Sequence, residues 1–258
     1  MSADVVAPTV VGGRGAIVTG AASGIGAATV RELARRGCRT VGIDIDLDGA
    51  QASADAAAQI NSLSHLALHC DVADETAVVA AFARAFEFLG RLDVLVTSAG
   101  VPDTAPFMDI TVATFRSVYE VNVIGTFVCI REAARLMQTG ASICTVASVA
   151  GLRGGGLSGT AAYASSKGGV LALTKSAARS LAAQGIRVNT IAPGATLTPM
   201  IAEYWKNDAH RTRVEGMSVL NRTAEAAEIA SGIAFLVSPE ASAITGSTLV
   251  ADNGLMMY

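Results

Sequence analysis

Charge is scarce in this chain. Of its 258 residues only 16% are Asp, Glu, Lys or Arg, and the net charge at neutral pH is −3. The few Lys and Arg are scattered, so there is no positive field to hold a phosphate backbone, and nucleic acid is excluded as an expected partner. Cysteine is sparse too. Cys38, Cys70, Cys129 and Cys144 lie far apart with no Cys-x-x-Cys spacing, as expected of free thiols serving as small core residues in a reducing compartment. No uncharged apolar run reaches the roughly 18 residues of a membrane span. Residues 1–13 carry Asp4 where a signal peptide would carry a basic cluster. The expected location is the cytoplasm, with no membrane partner. Internal repeats and low-complexity linkers are also absent, which leaves one domain over residues 1–258, with 1–13 a flexible amino-terminal segment.

What is present is alternation. Apolar runs at 16–19, 39–43, 66–69, 92–97, 142–147, 187–191 and 248–251 read as strands. Stretches at 25–36, 48–60, 112–137 and 162–183 show helical periodicity. Asp74 is expected to cap a helix running to Leu89, and Thr223 one reaching Val237. Strands apolar on both faces, separated by helices, predict an α/β fold with a doubly wound parallel sheet and helices on each side. Half the residues are hydrophobic (51%), enough for a large core. Residues 194–221 are too long for an ordinary connection and are read as a lid. Met200, Ile201, Tyr204 and Trp205 fall there at helical spacing, which fits either core packing or enclosure of an apolar substrate.

Chemistry centres on Tyr163-Ala164-Ser165-Ser166-Lys167. Four residues make about one helical turn, so a phenol stands beside an ammonium, and a nearby positive charge favours the phenolate. The pair alone does not decide a function; its neighbours do. In Thr19-Gly20-Ala21-Ala22-Ser23-Gly24-Ile25-Gly26, placed between the first strand and the first helix, glycines let backbone approach a phosphate and the helix amino terminus offers free N–H donors. Asp44 ends the second strand 18 residues past Gly26, near the spacing at which a carboxylate accepts hydrogen bonds from an adenosine ribose. The same charge repels a 2′-phosphate, and neither Ser23 nor Ile45 is cationic to offset it. NAD is therefore expected over NADP.

Two other clusters are weaker. His65, His69, Cys70 and Asp71 resemble a metal set, but His65 and His69 on one strand would stand roughly 13 Å apart. No metal is expected. His210, Arg211 and Arg213, and separately Arg153 beside Ser148, are candidates for gripping an anionic substrate.

Taken together, these motifs resemble the short-chain dehydrogenase/reductase family over residues 14–254. Its Thr-Gly-x-x-x-Gly-x-Gly loop falls on residues 19–26, its adenine-contacting pair on Asp71 and Val72, its active-site asparagine on Asn122, its serine on Ser148 and its Tyr-x-x-x-Lys on Tyr163 and Lys167. The resemblance places Pro193, Gly194, Thr196 and Thr198 beside a nicotinamide. It implies a Rossmann fold and hydride transfer between NAD and a secondary alcohol or its ketone. Tyr163 is then the base, Lys167 lowers its pKa and holds the ribose, Ser148 donates to the substrate oxygen, and Asn122 holds a water linking Lys167 to solvent. One departure is Thr97-Ser98-Ala99-Gly100, where the family carries Asn-Asn-Ala-Gly. Ala99 and Gly100 still permit close approach to the cofactor. A second departure is the glycine-rich insert 153–156, expected to shape the substrate mouth. Homo-oligomers, tetramers or dimers, are implied, with the apolar tail 255–258 against a neighbouring subunit. An NADP-linked reductase, a non-catalytic nucleotide-binding relative and a methyltransferase remain as rival readings. Sugar, polyol, steroid, aryl alcohol and hydroxy acid substrates all stay open.

Overall fold

The runs at 15–19, 94–97 and 142–146 are buried at every position, and they form the centre of the sheet. The computed structural model describes residues 13–155 and 161–257, apart from the side chains of residues 203 and 204. β1 (Gly15–Thr19) is buried at every position and pairs in parallel with β2 (Arg39–Asp44) on one side and β4 (Val94–Thr97) on the other. β3 (Leu66–His69) extends the sheet beyond β2, and β5 (Ser142–Val146), β6 (Arg187–Pro193) and β9 (Thr248–Ala251) extend it beyond β4. Among the described residues the order is β3-β2-β1-β4-β5-β6-β9, all parallel. A separate short pair joins β7 (Thr196–Leu197) to β8 (Ala224–Glu225).

The two-residue period of a strand divides the core in two. Ile17, Leu95 and Ile143 point to one face, where Phe82 of α3 (Glu75–Leu89) and Cys129 and Ala133 of α5 (Thr126–Leu136) pack on them. Ala16, Val18, Val96 and Cys144 point to the other, against Val30 and Leu33 of α1 (Gly24–Arg35) and Ile233 and Leu236 of α10 (Ala226–Val237). α2 (Leu47–Asn61) covers the β2 and β3 edge. α7 (Ala161–Leu181) lies against β6. All four cysteines are buried and none is in a disulfide, and burial pushes the Cys38 and Cys144 thiols up to about 12 and Cys70 to about 11, which makes them inert packing atoms. Among the described residues no helix is long and apolar enough to cross a membrane.

Three expectations are corrected. The helix read over 112–137 is interrupted: α4 (Val112–Tyr119) passes through a π-helical turn, Glu120–Gly125, before α5 begins. Thr223 caps nothing. The helix starts after Glu225, whose N–H donates to Glu228 Oε2 at 2.8 Å, while the Thr223 hydroxyl donates to Glu215 at 3.1 Å. A carboxylate three residues into the helix reaches back to the cap more effectively than a threonine two residues before it. The stretch 194–221 is not irregular, because β7, α8 (Pro199–Trp205) and α9 (Asp208–Glu215) order most of it.

One polar atom is out of place. Thr97, where the family carries asparagine, is 3% exposed and its Oγ1 meets no hydrogen-bond partner. A buried hydroxyl without a partner costs free energy, and valine has the same shape without the hydroxyl. Thr97→Val is expected to stabilise the fold by about 1 kcal/mol, raising the melting temperature by about 2–4 °C in a thermal scan.

Candidate active site

The strand order reverses between β1 and β4, and a crevice opens there at the carboxyl ends of the strands, as doubly wound sheets require. It holds a cavity of about 420 Å³, running from the β1–α1 turn to the two lid helices.

At one end Gly20, Ser23, Gly24 and Ile25 line the cleft. Gly20 has φ +70°, and a Cβ there would stand 2.6 Å from Ala99 N. Gly26 does not line the cleft; a Cβ on it would fall 1.9 Å from Gly20 O, so its glycine serves the packing of α1 against the turn. Ser23, at the amino cap of α1, is extended and its side chain makes no cap hydrogen bond, which leaves the first N–H groups to an anion from outside. Asp44 lines the cleft with its carboxylate already oriented: Oδ2 accepts from Ala22 N at 2.9 Å and Oδ1 from Asp46 N at 3.0 Å. Ile45 beside it is 64% exposed. Asp71 and Val72 line the next strand end, with Asp71 Oδ1 accepting from Ala73 N at 2.9 Å. These glycine cradles, an uncapped helix start and an oriented carboxylate suit a dinucleotide.

In the middle stand Ser98, Ala99 and Gly100, and across from them Ser148, Tyr163 and Lys167. α7 carries Tyr163 and Lys167 one turn apart, with Lys167 Nζ 5.8 Å from the centre of the Tyr163 ring. Lys167 is buried and donates to Val146 O at 2.9 Å. The Ser148 hydroxyl stands close enough to the Tyr163 phenol to lower its pKa, and Ser148 Oγ accepts from Ala150 N at 3.1 Å. α6 (Ala150–Arg153) packs so tightly on α7 that a Cβ on Gly151 would stand 2.6 Å from Gly168 N.

The electrostatics differ from the sequence expectation. Burial raises the Tyr163 phenol above its ordinary value, against a smaller lowering by the Ser148 hydroxyl, and burial lowers Lys167 to about 8. Desolvation is therefore the dominant influence on both groups, and it raises the phenol that the sequence reading expects the ammonium to lower. Asn122 is also placed differently. It does not line the cleft: its Oδ1 accepts from Val101 N at 2.8 Å, and its Nδ2 donates to Val101 O and Ser166 Oγ, each at 3.0 Å. The carboxamide braces the 101 loop against α7, and a Cβ on Gly100 would be 3.1 Å from Asn122 Oδ1 and 3.3 Å from Lys167 Nζ. The π-helical turn is what aims Asn122 inward, since an extra residue in the turn rotates the side chains that follow.

Pro193, Gly194, Thr196 and Thr198 close the cleft from the lid side, and Thr198 Cγ2 would lie 3.1 Å from a Cβ on Gly24. Met200, Ile201 and Trp205 of α8, His210 of α9 and Arg153 also line the cleft. Arg211 pairs with Asp208 at 2.9 Å, and neither it nor Arg213 lines the cleft. The Tyr204 side chain, Gly156 of the insert 153–156 and Tyr258 lie outside the described residues. Cys70, Val121, Val149, Pro199 and Val214 also line the cleft and were not foreseen. Val121 sits in the π-helical turn, and Pro199 and Val214 in the lid, where helical spacing carried no signal of what they face. His65 is committed elsewhere: Nδ1 accepts from Thr40 N at 3.1 Å and Nε2 meets Asn61 Oδ1 at 3.0 Å, tying β2 to the end of α2.

Comparison with known proteins follows the same lines. A family model described as enoyl-(acyl carrier protein) reductase matches residues 20–256. The cis-4-hydroxycyclohexanecarboxylate dehydrogenase of Sinomonas cyclohexanicum is 40% identical over 246 residues, spanning 93% of this chain and 96% of the relative. The D-threitol dehydrogenase of Mycolicibacterium smegmatis is 38% identical, over 94% of this chain and 92% of its own. Among solved structures, a dehydrogenase/reductase from Sinorhizobium meliloti 1021 superposes with a TM-score of 0.89 at 33% identity, covering 96% of this chain and 97% of that one.

Proposed function

The chain belongs to the short-chain dehydrogenase/reductase family, and from that premise we propose that it oxidises a secondary alcohol, or reduces the matching ketone, with NAD as its hydride partner. It is an oxidoreductase acting on CH–OH groups. The observation that carries the rest of the reading is that Ser148 and Tyr163 line one wall of the cleft, with Lys167 buried one turn behind Tyr163. Two hydroxyls aimed at one point can both meet a substrate oxygen. Ser148 donates to that oxygen, and Tyr163 removes its proton as the carbinol carbon loses hydride, or returns it in the reverse direction. The nicotinamide, when bound, accepts or delivers the hydride. Lys167 supplies the positive charge that favours the Tyr163 phenolate once the site is filled, and Asn122 holds the 101 loop and α7 in register. The cleft would hold the dinucleotide on Gly20, Ser23, Gly24 and Ile25, with Asp44 and Asp71 at its adenosine end and Pro193, Gly194, Thr196 and Thr198 at its nicotinamide end. The family model's description names an enoyl reductase, but a paired donor and base facing one oxygen favours carbinol and carbonyl chemistry.

The two named relatives act on a ring alcohol and on a polyol. The apolar lid, with Met200, Ile201 and Trp205, favours the ring. NAD reduction with cis-4-hydroxycyclohexanecarboxylate, cyclohexanol and D-threitol is the direct test. Turnover of a ring alcohol supports the reading, and no turnover of any of the three with either dinucleotide counts against it.

An assembly of identical subunits is proposed as well. Val112, Ile124 and Phe127 are 67%, 43% and 45% exposed along α4 and α5, with Phe107 and Met108 more open still at 75% and 88%. Such an apolar stripe marks an interface. Light scattering is expected to give a dimer or tetramer, and Phe127→Glu a smaller species.

A further inference from the structure

We propose that the alcohol oxidised in this cleft carries a carboxylate, held at the lid end by the Arg153 guanidinium and the Trp205 indole N–H. The inference rests on the dehydrogenase reading above and names its substrate class. The first observation is how charge is sorted along the cleft. Its two lining carboxylates, Asp44 and Asp71, both stand at the β2 and β3 ends, on the dinucleotide side. Past Tyr163, among the described residues, no acidic side chain lines it, and Arg153 does. Arg153 makes no ion pair or hydrogen bond with any described residue, and the neighbouring residues 156–160, Gly-Leu-Ser-Gly-Thr, contain no acid to pair with it.

An arginine facing a cleft would by itself be an ordinary solvated charge. The second observation is independent. Trp205 Nε1 is buried, has no hydrogen-bond partner, and belongs to a side chain that lines the cleft from α8, its ring meeting His210 edge-on at 6.0 Å. A buried N–H that nothing in the protein satisfies is a donor left for a ligand. Indole donates and cannot accept, and guanidinium also only donates. Two donor-only groups lining the same cleft match a group that only accepts. A carboxylate has two oxygens and can take one bond from each. Met200 and Ile201, on the same wall, would cover the carbon skeleton between carboxylate and carbinol.

The test compares kcat/KM for cis-4-hydroxycyclohexanecarboxylate with that for its methyl ester, which keeps the ring and the hydroxyl and removes the charge. The wild-type enzyme is expected to favour the acid by about tenfold or more, the value of one charge-assisted hydrogen bond. Arg153→Gln should bring that ratio toward one, Arg153→Lys should keep part of it, and Trp205→Phe, which retains the ring and loses the N–H, should cost the acid several-fold. An ester used as well as the acid, or a ratio unmoved by Arg153→Gln, overturns the proposal. A binding readout separates this from failure of the dehydrogenase reading. Cyclohexanecarboxylate has no hydroxyl to oxidise; with NAD present it should raise the melting temperature of the wild type and not of Arg153→Gln. If no alcohol turns over but that protection is seen, the carboxylate site stands and the reaction assignment falls. If cyclohexanol turns over and cyclohexanecarboxylate gives no protection, the reaction stands and the carboxylate site falls.

Discussion

Tyr163→Phe is expected to lower kcat for alcohol oxidation by about 10²–10⁴-fold, the usual share of a general base, with dinucleotide binding retained. The substitution removes one oxygen and keeps the ring, so the packing of α7 against its neighbours is preserved, and Ser148 keeps its hydrogen bond from Ala150 N. The loss should appear in kcat and kcat/KM together, as for a group that acts in the transition state. The pH dependence gives the sign. Because burial raises the Tyr163 phenol, most of the enzyme carries it protonated near neutrality, and oxidation needs the phenolate. Oxidation should therefore speed up as pH rises above neutrality, until Lys167, lowered to about 8, gives up the charge that favours the phenolate. Ketone reduction needs the phenol and should slow over the same interval. Both slopes should vanish in Tyr163→Phe. A variant that keeps more than a small fraction of turnover while binding NAD shows that the proton goes elsewhere.

Removing the charge of Asp44 is the second large effect. Its carboxylate stands at the end of β2, fixed by Ala22 N and Asp46 N, and Ile45 beside it offers no positive charge. Like charges brought together at a binding surface cost several kcal/mol. The wild type should prefer NAD, and Asp44→Ala should shift the ratio of kcat/KM for NAD over NADP by about 10- to 100-fold toward NADP. Asp44→Asn sharpens the comparison, since an amide oxygen can still accept from Ala22 N while the charge is gone. If the two variants shift the preference alike, charge is the cause. If only Ala does, the lost acceptor has disturbed the turn. A wild type that already prefers NADP refutes the reading.

Legibility followed distance along the chain. Gly20, Ser23, Gly24 and Ile25 were readable because a strand, a tight turn and a helix start are made by neighbours in sequence, and the glycines report their own crowding. Asp44 was readable because a strand's end can be counted from its apolar run. Tyr163 and Lys167 were readable because one helical turn sets their relation. Where the answer depended on contacts between distant segments, spacing failed. Thr223 lost the cap to Glu225 because Glu228 reaches back to it and Arg222 holds Glu228 at 2.7 Å. Asn122 turned inward through a π-helical turn that no periodicity in 112–137 announces.

By itself, then, the amino-acid sequence determined the layers, the parallel sheet and the family, because hydrophobic period and local turn chemistry act within a few residues. It also set Tyr163 and Lys167 one turn apart on a single helix. Only the tertiary structure decided how those side chains stand. Burial of Tyr163 and Lys167 is a property of the packed whole, and it reverses the pull that two isolated groups would exert on each other. That Arg153 and Trp205 line one cleft joins segments 52 residues apart, and no local rule can bring such a pair together, because the sheet and helices between them set the separation.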